Sequence, residues 1–147
     1  MKDNSKRDLK IYSYLFIFLG IWDFVMLAIQ YYTGKLNIDT IATENNVSVE
    51  MTKYALIVLL VLVAIIGLVK IFVGKSGLDA ASGKSKKTTY ITILKVMFAF
   101  EIIALIMYGI DMFAGKANYT SILTSIVNVT IIGDFLKNAK EVKKEIK

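Results

Sequence analysis

The chain has 147 residues, of which 56% are hydrophobic, and carries a net charge of +6. Soluble globular domains contain about 45–50% apolar residues, so this excess predicts a protein that faces lipid. The absence of Cys and His excludes disulfides, thiolate metal sites, Cys nucleophiles and the commonest general base. Because no Ser/His, Cys/His or metal-binding pattern is present, we expect neither an enzyme nor a bound cofactor or metal.

Four apolar stretches are long enough to cross a bilayer as helices, which takes about 20 residues each. They cover residues 11–33, 54–74, 88–113 and 117–137. The first stretch exceeds the roughly 7–15 apolar residues of a signal peptide, so we expect it to be a retained span. The pattern predicts an all-α membrane protein, a four-transmembrane-helix bundle that forms one membrane domain over residues 1–147.

Basic residues are concentrated in segments that would share one side of the membrane. Lys and Arg number four in residues 1–10, four in the loop 75–87 and five in residues 137–147. The positive-inside rule therefore places both termini and that loop in the cytoplasm. This distribution accounts for the net charge without nucleic acid as a partner. A composition rich in Lys, Ile and Asn, without Cys, His or Pro, favours a multi-pass protein of a bacterial cell membrane.

Two segments outside the spans have patterns of their own. The outer loop, residues 34–53, is polar and is expected to be either disordered or a short surface helix. In the tail, residues 138–147, apolar residues recur at helical spacing among lysines, which predicts a basic amphipathic helix. We expect this helix to continue the fourth span and then lie on the anionic inner leaflet, with binding to a partner as the alternative.

The two halves of the chain can be aligned span on span. Residues 61–67 (VLVAIIG) match residues 127–133 (VNVTIIG), and the first and third spans each carry one acid between apolar neighbours. This similarity favours a duplicated two-helix hairpin with parallel halves. Chance resemblance between spans rich in Ile and Val is the alternative.

Polar side chains inside the spans are the most informative feature, because a charge at the bilayer centre costs about 2.5–3.5 kcal/mol. At about 1.5 Å of helix per residue, Asp23, Glu101 and Asn128 fall near mid-depth on three different spans. Gln30 continues the polar stripe of Asp23. This stripe and the stripe of the fourth span, which contains Asn128, are expected to face each other and Glu101 and Tyr108 of the third span.

A second polar layer is predicted nearer the cytoplasm, where Lys70, Lys95 and Asp134 come to similar depth on three spans. We expect Lys70 to extend its ammonium group to the lipid headgroups. Lys95 lies deeper and is expected to pair with Asp134 or Glu101. Such groups often serve simply as contacts between transmembrane helices, and that ordinary role is the alternative to a functional one.

Asp23 and Glu101 have no obvious cation beside them in the sequence. A carboxyl group in that position can carry a proton or hold a cation, as intramembrane acids do in transporters. We therefore expect a small oligomeric transporter or channel with Asp23 and Glu101 as its binding groups. Asn128 and Gln30 would line the path, and Lys95 with Asp134 would form an inner gate.

A second function class is equally compatible with these residues. The chain would then be a non-enzymatic accessory, immunity-type or assembly protein that packs its polar stripes against a larger membrane partner. A holin-like pore former is a third reading, suggested by the size of the chain and its charged tail. In all three readings the lipid bilayer is the surrounding medium and no nucleic acid is bound.

Overall fold

The computed structural model describes residues 2–113, 115 and 119–146, and these residues form helices joined by turns and short loops, with no strand. The helices, in chain order, are α1 (Lys2–Tyr32), α2 (Ile38–Asn45), α3 (Val49–Ala81), α4 (Thr89–Phe113) and α5 (Tyr119–Ile146). The four long helices are apolar enough, over sufficient length, to cross a membrane. The prediction of an all-α protein with four such helices is confirmed.

The helix bounds add detail to the predicted segments. The span-capable parts run over Asn4–Tyr32, Val49–Ala81, Thr89–Met112 and Tyr119–Lys144. The short helix α2 occupies part of the predicted outer loop, and the Asn37 side chain caps it by accepting the backbone N–H groups of Asp39 and Thr40. The predicted start of the fourth span at Ala117 and the last tail residue, Lys147, lie outside the described residues.

The chain divides into two compact units, and the division falls within α1 and α3. We call Phe16–Phe72 the hairpin unit; it contains the second part of α1, the short helix α2 and the first part of α3. We call the residues up to Leu15 together with those from Val73 onward the terminal unit. It contains the start of α1, the end of α3, and both α4 and α5.

The terminal unit has a core of fully buried apolar side chains. These residues come from four helices and have no exposed surface: Leu9, Val73, Leu94, Phe135, Ala139 and Val142. The ring of Phe135 lies 6.4 Å from that of Tyr12 and 6.5 Å from that of Tyr90, measured between centroids. Aromatic contacts of this kind add to the free energy gained from burying apolar area.

The tail of α5 belongs to this core. α5 continues without a break through the tail, as predicted, but Ala139 and Val142 are fully buried against the terminal unit. The Ser5 hydroxyl of α1 donates a hydrogen bond to the Glu141 carboxylate of α5 at 2.5 Å. The apolar face of the tail is therefore covered by protein rather than left free for lipid, and contact of the tail with the inner leaflet stays a prediction. Its lysines are exposed on the other side: Lys137, Lys140, Lys143 and Lys144.

In the hairpin unit α1 and α3 approach each other at two glycines. A Cβ atom on Gly20 would lie 2.6 Å from the Gly67 carbonyl oxygen, and one on Gly67 would lie 2.9 Å from the ring of Phe24. Small residues permit this close backbone approach in membrane helices, where dispersion contacts and hydrogen bonds hold the helices together. Because the two backbones are so close at this crossing, side chains on the adjoining turns of α1 and α3 can contact each other.

Candidate functional site

Glu101 is bound by two donors from α5, within the terminal unit. Its Oε1 atom accepts a hydrogen bond from Asn128 Nδ2 at 3.2 Å, and its Oε2 atom accepts a longer one from Ser125 Oγ at 3.5 Å. Ser125 and Asn128 share a face of α5 because they are three residues apart. The predicted contact of Glu101 with the polar stripe of the fourth span is present.

A groove of about 380 Å³ opens beside these three side chains, between α4 and α5. Tyr108 lies on the same face of α4 as Glu101, seven residues or about two turns further along, and contributes to the groove. The other hydroxyl groups of the lining belong to Thr120, Ser121 and Thr124. Phe100 and Ala104 supply apolar surface. The result is a polar, carboxylate-bearing groove between two helices that are long enough to span a membrane.

Asp23 has a different environment, in the hairpin unit. Its Oδ2 atom accepts a hydrogen bond from Lys70 Nζ at 2.8 Å, and both side chains are 23% exposed. The expectation that Asp23 lacks a nearby cation is wrong, as is the expectation that Lys70 extends to the headgroups. In a low-dielectric medium an ammonium group gains more from a carboxylate on a packed helix than from exposed headgroups.

The proposed inner gate pair is not formed within the chain. Asp134 accepts a hydrogen bond from the Tyr12 hydroxyl at 3.1 Å. Lys95 is exposed on α4, and the ion pairs of the described residues include none between Lys95 and either Asp134 or Glu101. The reason is geometric, since equal depth along two helices does not determine which way the side chains project.

Gln30 lies near the end of α1, half-buried, seven residues beyond Asp23. Its backbone carbonyl accepts the Lys35 N–H at 3.1 Å in the turn that ends the helix. The structure therefore joins Glu101 to Asn128 and Asp23 to Lys70. The two acids belong to different units, each with its own partner.

Sequence reasoning missed two contributors to these environments. The sequence alone indicates no role for Tyr12, yet its hydroxyl donates a hydrogen bond to Asp134. Phe100, next to Glu101 in the chain, was given no role although it lines the groove. A pairing between the first and last helices leaves no signal in one sequence, whereas the position of Phe100 beside an intramembrane acid could have suggested it.

Among the described residues, no group of three or more His, Cys, Asp or Glu side chains is arranged to hold a metal ion. Comparison of the chain with protein-family models, with curated proteins and with solved structures found no match.

Proposed function

We propose that the chain is a small, non-enzymatic membrane transporter or channel in which Glu101 binds a proton or a cation. One observation carries this proposal: the Glu101 carboxylate, held by Asn128 and Ser125, borders a polar groove between two span-capable helices. A carboxylate at that depth needs either a proton or a cation to offset the cost of its charge. The lining of the groove includes no Lys or Arg side chain that could supply the charge internally.

Asp23 fits a structural role better than a binding role. Its charge is compensated by Lys70 at 2.8 Å, and the pair links α1 to α3 beside the close crossing at Gly20 and Gly67. An acid already neutralised by an ammonium group has little to gain from a second cation. We therefore assign the binding step to Glu101 and the joining of the helices to Asp23.

The proposal places the chain in a bacterial cell membrane with both termini in the cytoplasm, because basic residues are concentrated at the ends and in the loop 75–87. Four helices enclose little space alone, so we propose that several copies associate to complete the pathway. The match between residues 61–67 and 127–133 suggests that the two pairs of long helices arose by duplication.

The test is flux into proteoliposomes under an imposed pH gradient and membrane potential. We expect wild-type protein to carry protons or cations and Glu101→Gln to lower the flux at least tenfold, since the amide keeps the shape of the side chain but not its charge. Asp111→Asn is the matched control, because it removes an exposed carboxylate from the same helix. Flux no higher than in empty liposomes, or full flux in Glu101→Gln, would contradict the proposal.

Lys95 favours a second candidate function, that of an accessory protein for a larger membrane partner. This ammonium group is exposed on α4 without an ion pair in the described part of the chain. A carboxylate on a partner helix would neutralise it at a depth where a charge is costly. A stoichiometric partner that co-purifies with wild-type protein but not with Lys95→Ala would support this function.

A further inference from the structure

The groove beside Glu101 is much larger than a dehydrated metal ion or a proton requires. Its volume of about 380 Å³ corresponds to roughly a dozen waters, at about 30 Å³ each in the liquid. It falls near the lower end of the roughly 300–1,000 Å³ found for sites that bind organic molecules. Size alone thus favours a ligand of several non-hydrogen atoms.

The charge of the groove selects a monovalent cation. Glu101 is the one carboxylate among its lining residues, and no basic side chain accompanies it. Calcium is usually bound by six to eight oxygen ligands, commonly including several carboxylates. The described residues contain no cluster of acids that could meet that need. A ligand with a single positive charge would neutralise the one negative charge of the groove, that of Glu101.

Two hydrogen-bonding groups near Glu101 keep an oxygen that can accept a further hydrogen bond. Asn128 uses an amide N–H on the Glu101 carboxylate, which leaves its carbonyl oxygen available. The Thr124 hydroxyl donates to the Thr120 backbone carbonyl at 2.8 Å, so its oxygen can still accept. A ligand with N–H groups matches these acceptors, whereas the Glu101 carboxylate would repel an anion.

Two aromatic rings complete the match. Phe100 and Tyr108 both line the groove, one beside Glu101 in the chain and the other two turns away on the same face of α4. The face of an aromatic ring attracts an ammonium ion within about 6 Å of its centroid. The methylene or aryl part of an organic amine also gains from contact with rings, which a bare alkali ion does not.

From these observations we infer that the Glu101 groove binds a small organic ammonium ion, a protonated primary or secondary amine. The ammonium group pairs with Glu101 and donates to Asn128 and Thr124, while the carbon skeleton lies against Tyr108 and Phe100. This inference rests on the proposed function in one respect, that Glu101 is the binding group. It does not require the bound ion to cross the membrane.

The test is isothermal titration of the purified full chain in detergent with benzylammonium, and with sodium and potassium chloride at the same ionic strength. We expect saturable binding of benzylammonium and at least a tenfold weaker affinity in Glu101→Gln. Thr124→Val and Tyr108→Leu should each weaken binding severalfold while the protein elutes as wild type on size exclusion. Asp111→Asn should bind as wild type does.

Three results would overturn the inference: no saturable binding of benzylammonium by wild type, undiminished binding in Glu101→Gln, or equal displacement of benzylammonium by sodium at similar concentration. If Glu101→Gln fails to fold, Thr124→Val and Tyr108→Leu decide the question, and wild-type affinity in both counts against it. Amine binding without flux in proteoliposomes would reject transport and keep the ligand class. Alkali-ion or proton flux without amine binding would support transport and reject the organic ammonium ion as the ligand.

Discussion

The surroundings of Gly77 show how tightly the core of the terminal unit is packed. A Cβ atom at this position of α3 would lie 2.3 Å from Ser13 Oγ and 2.9 Å from the ring of Phe135. Both neighbours are themselves fully buried, so neither can move aside without disturbing the core. Hydrogen is therefore the one side chain that this position accepts without rearrangement.

We expect Gly77→Ala to destabilise the protein by about 1–3 kcal/mol, the usual cost of overpacking a core. Gly109→Ala is the control, because a Cβ atom at Gly109 of α4 meets nothing within 4 Å. A helical Gly to Ala change without steric conflict is typically stabilising by about 0.5–1 kcal/mol. Thermal denaturation of both variants in detergent, followed by size exclusion, measures the difference. Equal stability of the two variants would contradict the described packing.

At the residue scale, the sequence predicted the depth of a polar side chain along its helix better than the direction in which that side chain projects. Counting residues placed Glu101 and Asn128 at one level because the rise per residue of a helix is constant, and the hydrogen bond between them agrees with that level. The same count missed the pairing of Asp23 with Lys70. That contact depends on how α1 and α3 are rotated toward each other at Gly20 and Gly67, which a single sequence does not reveal.

At the scale of helices, the ion pair of Asp23 and Lys70 joins α1 to α3 within the hairpin unit. Each charge compensates the other in a setting where either alone would be costly. Removing one partner leaves an uncompensated charge, whereas removing both leaves none. The pair is therefore expected to behave as a unit under mutation.

We expect Asp23→Asn and Lys70→Met each to lower stability more than the double variant does. The coupling energy should fall in the range of about 0.5–3 kcal/mol that is typical of residues in contact. Denaturation in mixed micelles with increasing sodium dodecyl sulfate measures all four proteins of the cycle. Strictly additive single effects would show that the two side chains act independently.

The tail of α5 is an amphipathic helix whose apolar face packs on protein. Spacing alone predicted the helix and its two faces correctly, because periodicity is a local property. It could not predict what covers the apolar face, since contact with lipid and contact with a protein core both favour apolar residues at these positions. The burial of Val142 and the contact of Glu141 with Ser5 assign that face to the terminal unit.

Val142→Asp should therefore destabilise the protein by about 2 kcal/mol or more, because it inserts an unpaired charge into a core. Lys143→Asp, one residue later on the exposed side, should change stability by no more than about 0.5 kcal/mol. Thermal denaturation in detergent compares the two variants. If the tail instead lay on lipid, Val142→Asp would weaken its membrane contact and leave the melting temperature of the remaining helices unchanged.

For the whole molecule, the length of the apolar stretches was enough to predict four span-capable helices. Each stretch reaches about 20 residues, and helices satisfy their own backbone hydrogen bonds in lipid. The core of the terminal unit was not predicted, because its residues come from segments far apart in the chain. Leu9, Leu94 and Val142 belong to that core, and nothing in the sequence indicates that these three residues pack in one place.

The orientation of the chain can be tested with single cysteines, since the natural sequence has none. A membrane-impermeant maleimide should label Glu44→Cys in intact cells and should label Lys86→Cys and Lys143→Cys only after permeabilisation. The expectation follows from the distribution of Lys and Arg on either side of the spans. Labelling of Lys143→Cys in intact cells would contradict the proposed orientation.

The hydrogen bond between Ser5 and Glu141 joins residues 136 positions apart, and this separation has a consequence for biosynthesis. The first helix is synthesised long before the residues around Glu141 have been translated. Leu9 must therefore remain without its neighbours on α5 until those residues are translated, and closure of so long a loop is slow. Until α5 has been translated, the core residues of α1, α3 and α4 lack the side chains of Phe135, Ala139 and Val142 that bury them in the finished protein.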